Sequence, residues 1–267
     1  MPADDKWRMG PQKARQRSLP RRALGKARRL ALDALAKTPM GTVVDVKTNE
    51  PVAAITFDDG PDGHWTPQVL DVLEAHGAHG TFFVIGKYVR EHHDIMARMA
   101  ASGHAIGNHS WDHPCFPLLS SSERRRQVRA CAEALTPYLR GDVRLFRPPY
   151  LDQNLASAFD LWSLGYQVIA TSVHACDWED HDAAFMVERL HDGIRSGAII
   201  MLHDVIRDRD FSGRQAMLDS LDMFLDRWKR AYRFVTVPEL LQCGKPRKQT
   251  WLKGPSRERM RKPVPAA

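Results

Sequence analysis

From residue 52 onward, short apolar runs alternate with segments of helical periodicity. The runs at 52–57, 81–85, 104–107, 143–146, 167–170, 198–202 and 234–237 have strand length, and helices are predicted between them near 66–76, 88–101, 121–139, 154–164, 182–195 and 215–230. Pro67 near the start of the first helix and Gly77 beyond its end suit helix termini. This alternation predicts an α/β fold built on a parallel sheet or barrel. Ahead of it, Leu24, Ala27, Leu30, Ala31, Ala34 and Leu35 lie along one side of a helical pattern at 21–37, with Arg22, Lys26 and Arg29 elsewhere and Pro39 and Gly41 as the stop. That helix reads either as a basic amphipathic element on a membrane surface or as a cap on the main domain. Its Ala-rich stripe, without Trp or Phe, favours the cap.

Charge divides the 267 residues into three parts. Residues 1–40 carry a net +8 and form a basic arm with the amphipathic helix; residues 245–267 carry a net +7 and read as a basic tail; the domain between, 41–244, carries a net −8. The pI near 9.4 therefore belongs to the ends. Those ends suit an anionic membrane surface or an acidic partner. They lack interleaved aromatics and any nucleic-acid motif, which argues against nucleic acid. No apolar run reaches the roughly 18 residues of a membrane span, and Met1 to Arg22 has no apolar signal-peptide core, so the expected location is cytoplasmic, peripheral at a membrane if anything. Cys115, Cys131, Cys176 and Cys243 are scattered, which predicts free thiols and no cysteine zinc site.

Five polar motifs fall at the predicted strand ends, where α/β barrels place their sites. The first, Thr56-Phe57-Asp58-Asp59-Gly60-Pro61, offers two adjacent acids able to point in different directions, one to a metal and one free as a base, though Asp-Gly-Pro is also common turn chemistry. His109-Ser110-Trp111-Asp112-His113 spaces two imidazoles by four, so that one helical turn would aim both at a single ion. Arg147-Pro148-Pro149-Tyr150 holds an arginine on a stiff loop, fit to orient a carboxylate. Asp177-Trp178 joins an acid to an indole, and Leu202-His203-Asp204 ends a buried strand on a candidate general acid. One carboxylate and two imidazoles make an open catalytic metal site.

Together the five stretches resemble the polysaccharide deacetylase family, also called the NodB-homology domain or carbohydrate esterase family 4. The likeness runs from about residue 53 to 240 and takes in Gly80-Thr81-Phe82-Phe83-Val84-Ile85-Gly86, Gly103-His104-Ala105-Ile106-Gly107-Asn108-His109 and Phe234-Val235-Thr236-Val237. The resemblance implies a distorted (β/α) barrel of fewer than eight strands with its site at the C-terminal strand ends, and metal-dependent removal of acetyl groups from N-acetylglucosamine-type glycans. It implies Asp59, His109 and His113 as ligands of a divalent metal, Zn or Co, and Asp58 as base, clamped by Arg147. It also implies oxyanion stabilisation at the Tyr150 N–H, His203 as an acid tuned by Asp177, and an acetyl pocket lined by Trp178 and Leu202. Two positions depart from the pattern: Leu151 where the family commonly has Gly, and His174 where it has a further Asp. An esterase acting on O-acetyl groups, as in acetylxylan, would use the same site, while a non-catalytic glycan-binding barrel would not need both Asp58 and His203.

Overall fold

A computed structural model describes residues 30–139, 141, 144–207 and 213–254. The remaining residues, including 1–29 with most of the basic arm and 255–267, lie outside it. Seven parallel strands follow one path, in the order β6 (Gln167–Val168), β5 (Leu145–Phe146), β4 (Ala105–Asn108), β3 (Gly80–Val84), β2 (Val52–Asp58), β8 (Ile199–His203) and β7 (Val173–His174). A short β9 (Arg233–Val235) lies off this path, pairing with the start of β2. The two ends of the path, β6 and β7, are consecutive in the chain and separated by only 169–172. Laid flat, seven strands would hold their edges roughly 29 Å apart at about 4.8 Å per step. The connection reaches at most about 17 Å, so the sheet must curl into an incomplete barrel, as the sequence led us to expect.

Strand alternation sorts the core into two layers. Ala54, Phe83 and Ile199 face the interior with Val43, Val46 and Ile169. Ile55, Phe57, Phe82, Val84, Ile200 and Leu202 face outward, against α2 (Trp65–Ala75), α4 (His93–Ala101), α7 (Ala183–Gly193) and α8 (Gln215–Trp228). The predicted 88–101 helix is broken, with α3 (Gly86–Val89) and a turn ahead of α4. Helices α5 (Ser121–Leu135) and α6 (Leu155–Ser163) start on capping boxes, Ser120 with Glu123 and Asn154 with Ser157. A final helix, α9 (Val237–Gln242), begins on a third such box, Thr236 with Glu239.

The ends of the domain differ from expectation. Residues 30–36 are helical and form the described end of α1; Gly41 is required after it, because a Cβ there would meet the Ala36 carbonyl oxygen at 1.9 Å. The assignment of 245–267 to a tail is corrected over its first ten residues. Strand β10 (Lys245–Gln249) pairs antiparallel with β1 (Thr42–Lys47), a strand the hydrophobic pattern also failed to mark. Buried Asp45 of β1 accepts from Arg247 and Arg195 and ties the pair to the body. Main-chain pairing does not require apolar side chains, so a Lys/Arg/Pro stretch can form an edge strand.

Candidate metal centre and catalytic site

Asp58 is the last residue of β2, and its side chain points into the barrel beside His203, its register partner on β8. Asp59 follows with φ of 77°, a left-handed turn that swings its carboxylate away from Asp58. Next to it, Gly60 has no room for a side chain, since a Cβ would stand 2.1 Å from Asp204 Oδ2.

After β4 the chain does not form the expected helical turn. Ser110 (φ 71°) and His113 (φ 65°) are both left-handed, and the loop is pinned by its own polar groups: Ser110 N–H donates to Asn108 Oδ1 and His113 N–H to Ser110 Oγ. The Gln127 side-chain carbonyl accepts from the N–H groups of Trp111 and Asp112. This pinning, and no helix, brings both imidazoles to one point. Nε2 of His109 lies 3.3 Å and Nε2 of His113 3.2 Å from Asp59 Oδ1. The other nitrogen of His109, Nδ1, is 2.7 Å from the Arg147 carbonyl oxygen, which makes it the protonated one and leaves Nε2 as a lone-pair donor. Burial pushes the Asp59 carboxyl up, but the imidazoles of His113, His109 and His203 outweigh it and hold the group below the usual carboxylate range. Asp59 Oδ1 is buried without a hydrogen bond, and the three ligand atoms lie within 4.8 Å of one another. That is the donor set and spacing a divalent cation needs.

Arg147 has no exposed surface. It donates to Asp58 Oδ1 at 2.7 Å, to Thr56 Oγ1 at 2.7 Å, and to the carbonyls of Ile169 and Ala170 at 3.3 and 2.9 Å, and it stacks on Phe83. Those carbonyls belong to the segment where the barrel fails to close, so one side chain satisfies the gap and clamps Asp58. Burial lowers its pKa and Asp58 opposes this; an ordinary value above 12 leaves it cationic.

On the other side of the barrel mouth, Asp177 is fully buried. Its Oδ1 lies 3.1 Å from His203 Nδ1 and its Oδ2 accepts the His203 backbone N–H at 2.7 Å. Burial disfavours the charged imidazole, yet Asp177, then Asp59 and Asp58, more than offset it, so the His203 pKa is pushed up to about 9. Burial likewise raises Asp177, and His203 and Arg214 together pull it below its usual range. Arg214 is a residue the sequence did not reveal. It stands just ahead of α8, buried, with its guanidinium on Asp177 Oδ2, the Asp177 carbonyl and the His203 carbonyl. An arginine at a helix start carries no motif to mark it. Asp204 was also unassigned; burial pushes its pKa up to about 7, and Thr66 Oγ1 donates to it.

Tyr150 (φ 58°) sets its ring 4.5 Å from that of His113. Half-buried Trp178 packs 4.9 Å from His174 and edge-on 5.8 Å from His203. Leu202 is misplaced by the sequence reading: it pairs with Phe57 and faces the helices. Alternation puts Met201, opposite Thr56 and His174, on the face that carries Asp58 and His203. All four cysteines are free, as expected.

The comparisons with known proteins agree with this geometry. The sequence profile of the family described as polysaccharide deacetylase matches residues 45–169. The peptidoglycan-N-acetylglucosamine deacetylase of Listeria monocytogenes is 35% identical over 208 residues, covering 76% of the chain; the chain spans 42% of that relative's length. A peptidoglycan-N-acetylglucosamine deacetylase of Bacillus cereus is 34% identical over 207 residues, 76% of the chain and 95% of the relative. Among solved structures, the Bc1960 peptidoglycan N-acetylglucosamine deacetylase superposes with a TM-score of 0.70 at 29% identity, over 78% of this chain and 95% of that one. With a relative matched over nearly its whole length and the five motifs gathered at one barrel mouth, the chain belongs to the polysaccharide deacetylase family.

Proposed function

We propose that this chain is a metal-dependent hydrolase that removes acetyl groups from N-acetylglucosamine-type sugar units and releases acetate. The observation that carries it is the buried Asp59–His109–His113 group beside an Arg147-clamped Asp58, with an Asp177–His203 pair completing the same mouth. A divalent cation held by Asp59, His109 and His113 would polarise the acetyl carbonyl and acidify a water. Asp58 accepts the proton of the attacking water, and Arg147 fixes the direction in which its carboxylate points. The Tyr150 N–H donates to the oxygen that gains charge as the carbonyl carbon becomes tetrahedral. His203, kept protonated by Asp177, gives its proton to the sugar nitrogen as the carbon–nitrogen bond breaks. Met201 and Trp178 supply the apolar wall for the acetyl methyl group.

Relatives that act on peptidoglycan N-acetylglucosamine support the glycan class. The test is acetate release from chito-oligosaccharides, peptidoglycan and acetylated xylan, with the metal-loaded protein and with its Asp58→Asn variant. Release from the N-acetylated substrates is expected. The variant should keep its metal and lose about 10²–10⁴-fold in turnover, the scale of general-base catalysis. Release from xylan alone would make the activity an esterase, and wild-type turnover in Asp58→Asn would remove the base.

A further inference from the structure

Two consecutive non-glycine residues, Tyr150 and Leu151, sit in the left-handed region with φ of 58° and 56°. Such a pair costs free energy and persists only where the surroundings over-determine it. The segment that follows β10 supplies the constraint. The Trp251 indole Nε1–H donates to the Leu151 carbonyl at 2.8 Å, and Lys253 Nζ donates to the Tyr150 carbonyl at 2.7 Å. Lys253 and Gln153 exchange both main-chain hydrogen bonds, at 2.8 and 3.1 Å, as an isolated antiparallel bridge. The Gln153 amide also donates to the Trp251 carbonyl and to Thr42 Oγ1, both at 3.2 Å, which joins the segment to β1. The carbonyls of Tyr150, Leu151 and Gln153 are thus all taken by residues 251–253.

We propose that residues 250–254 form a positioning strap for the loop that carries Tyr150. Trp251 and Lys253 hold Tyr150 and Leu151 left-handed, and so fix the direction of the Tyr150 N–H and the place of its ring against His113. The strap does the work that a glycine at 151 would otherwise do by conformational freedom alone. This inference rests on the deacetylase reading, in which the Tyr150 N–H faces the developing oxyanion.

The test uses the full-length, metal-loaded chain with Lys253→Met, Trp251→Phe and the two combined, each also in a Leu151→Gly background. The combined variant should lower kcat by about ten- to a hundredfold, the scale of misplacing one oxyanion donor. KM and bound metal should be nearly unchanged, and hydrogen exchange at the 151 and 152 amides faster. Leu151→Gly should recover most of the lost kcat, because glycine adopts the left-handed turn without the strap; a general loss of stability would not be rescued this way. Lys253 is half exposed and also lies 3.8 Å from Oδ1 of buried Asp152, so Lys253→Met, with its melting temperature measured beside kcat, tests the idea should Trp251→Phe destabilise the chain. Unchanged kcat and exchange in the combined variant, or no recovery with Leu151→Gly, would overturn the strap. If the wild-type chain releases no acetate, the deacetylase reading fails, while the exchange measurement still decides whether 250–254 orders the loop.

Discussion

Asp58 and Asp59 carry the same side chain one residue apart, and a single backbone angle separates their surroundings. The left-handed φ of Asp59 gives one carboxylate to two imidazoles and leaves the other to an arginine. The same division by surroundings sets His203. Its protonated form is favoured by Asp177, so it holds its proton below about pH 9, well above the usual 6.5. As the acid proposed above, His203 is active while protonated, so kcat should fall as pH rises through about 9, or lower once a bound cation adds its repulsion. Asp177→Asn removes the main cause of the rise and leaves burial to act, so the alkaline limb of the kcat profile should move down in pH and turnover at neutral pH should drop. The linkage has the matching sign. The Asp177–His203 pair adds stability that is complete below the unfolded value near 6.5 and is lost as pH rises through about 9. Titrating the His203 ring by NMR in wild type and Asp177→Asn checks both; an unmoved pKa would discard the pairing as its cause.

Helices and central strands were legible because their side chains carry the signal. The buried runs of β2, β3 and β8 read as apolar, and the first and fifth motifs stood out because polar residues close β2 and β8. What escaped had no such signature. Strand β7 is two residues long, and β10 is Lys-Pro-Arg-Lys-Gln, held by main-chain bonds to β1. The two histidines were found, but their convergence comes from left-handed Ser110 and His113, which no periodicity encodes. Leu202 and Met201 show how a one-residue shift changes the face of a strand. The seat of β1 rests on Gly197, which has φ of 81°; it accepts from Val46 N–H and donates to the Val52 carbonyl. A Cβ there would lie 1.7 Å from the Val46 oxygen, whereas at Gly77, also left-handed at 60°, nothing lies within 4 Å. Gly77→Ala should therefore cost about 1 kcal/mol. Gly197→Ala, which must also push β1 away, should cost about 3 kcal/mol or more and lower Tm by roughly 6–12 °C. Equal melting temperatures for the two variants would show that β1 is not seated there.

At the scale of the molecule, the barrel mouth gathers Asp58, Asp59, Asp177 and Asp204, all buried, against the cations of Arg147, Arg214 and a protonated His203. Burying so many charges is costly unless each is matched. Arg147 matches Asp58, and His203 with Arg214 matches Asp177. Burial pushes the Asp204 pKa up to about 7, which lessens its charge relative to an ordinary carboxylate. Asp59 is left facing two imidazoles of which at least His109 is turned to offer a lone pair. Asp59 is the carboxylate that no arginine matches, a divalent cation held there would fill that role, and the three side chains that could hold it come from loops 50 residues apart in the sequence, so only the folded chain presents them together. A ligand that binds the native state alone stabilises it by about 2.7 kcal/mol at a hundredfold excess over Kd. Added Zn²⁺ should therefore raise Tm in a concentration-dependent way and chelation should reverse it, independently of any turnover. Asp59→Ala and His109→Ala should abolish the increment, while Asp58→Asn, which touches the proposed base and not the proposed ligands, should keep it. Identical melting of wild type with Zn²⁺ and with chelator would mean that the three side chains meet for some purpose other than holding a metal.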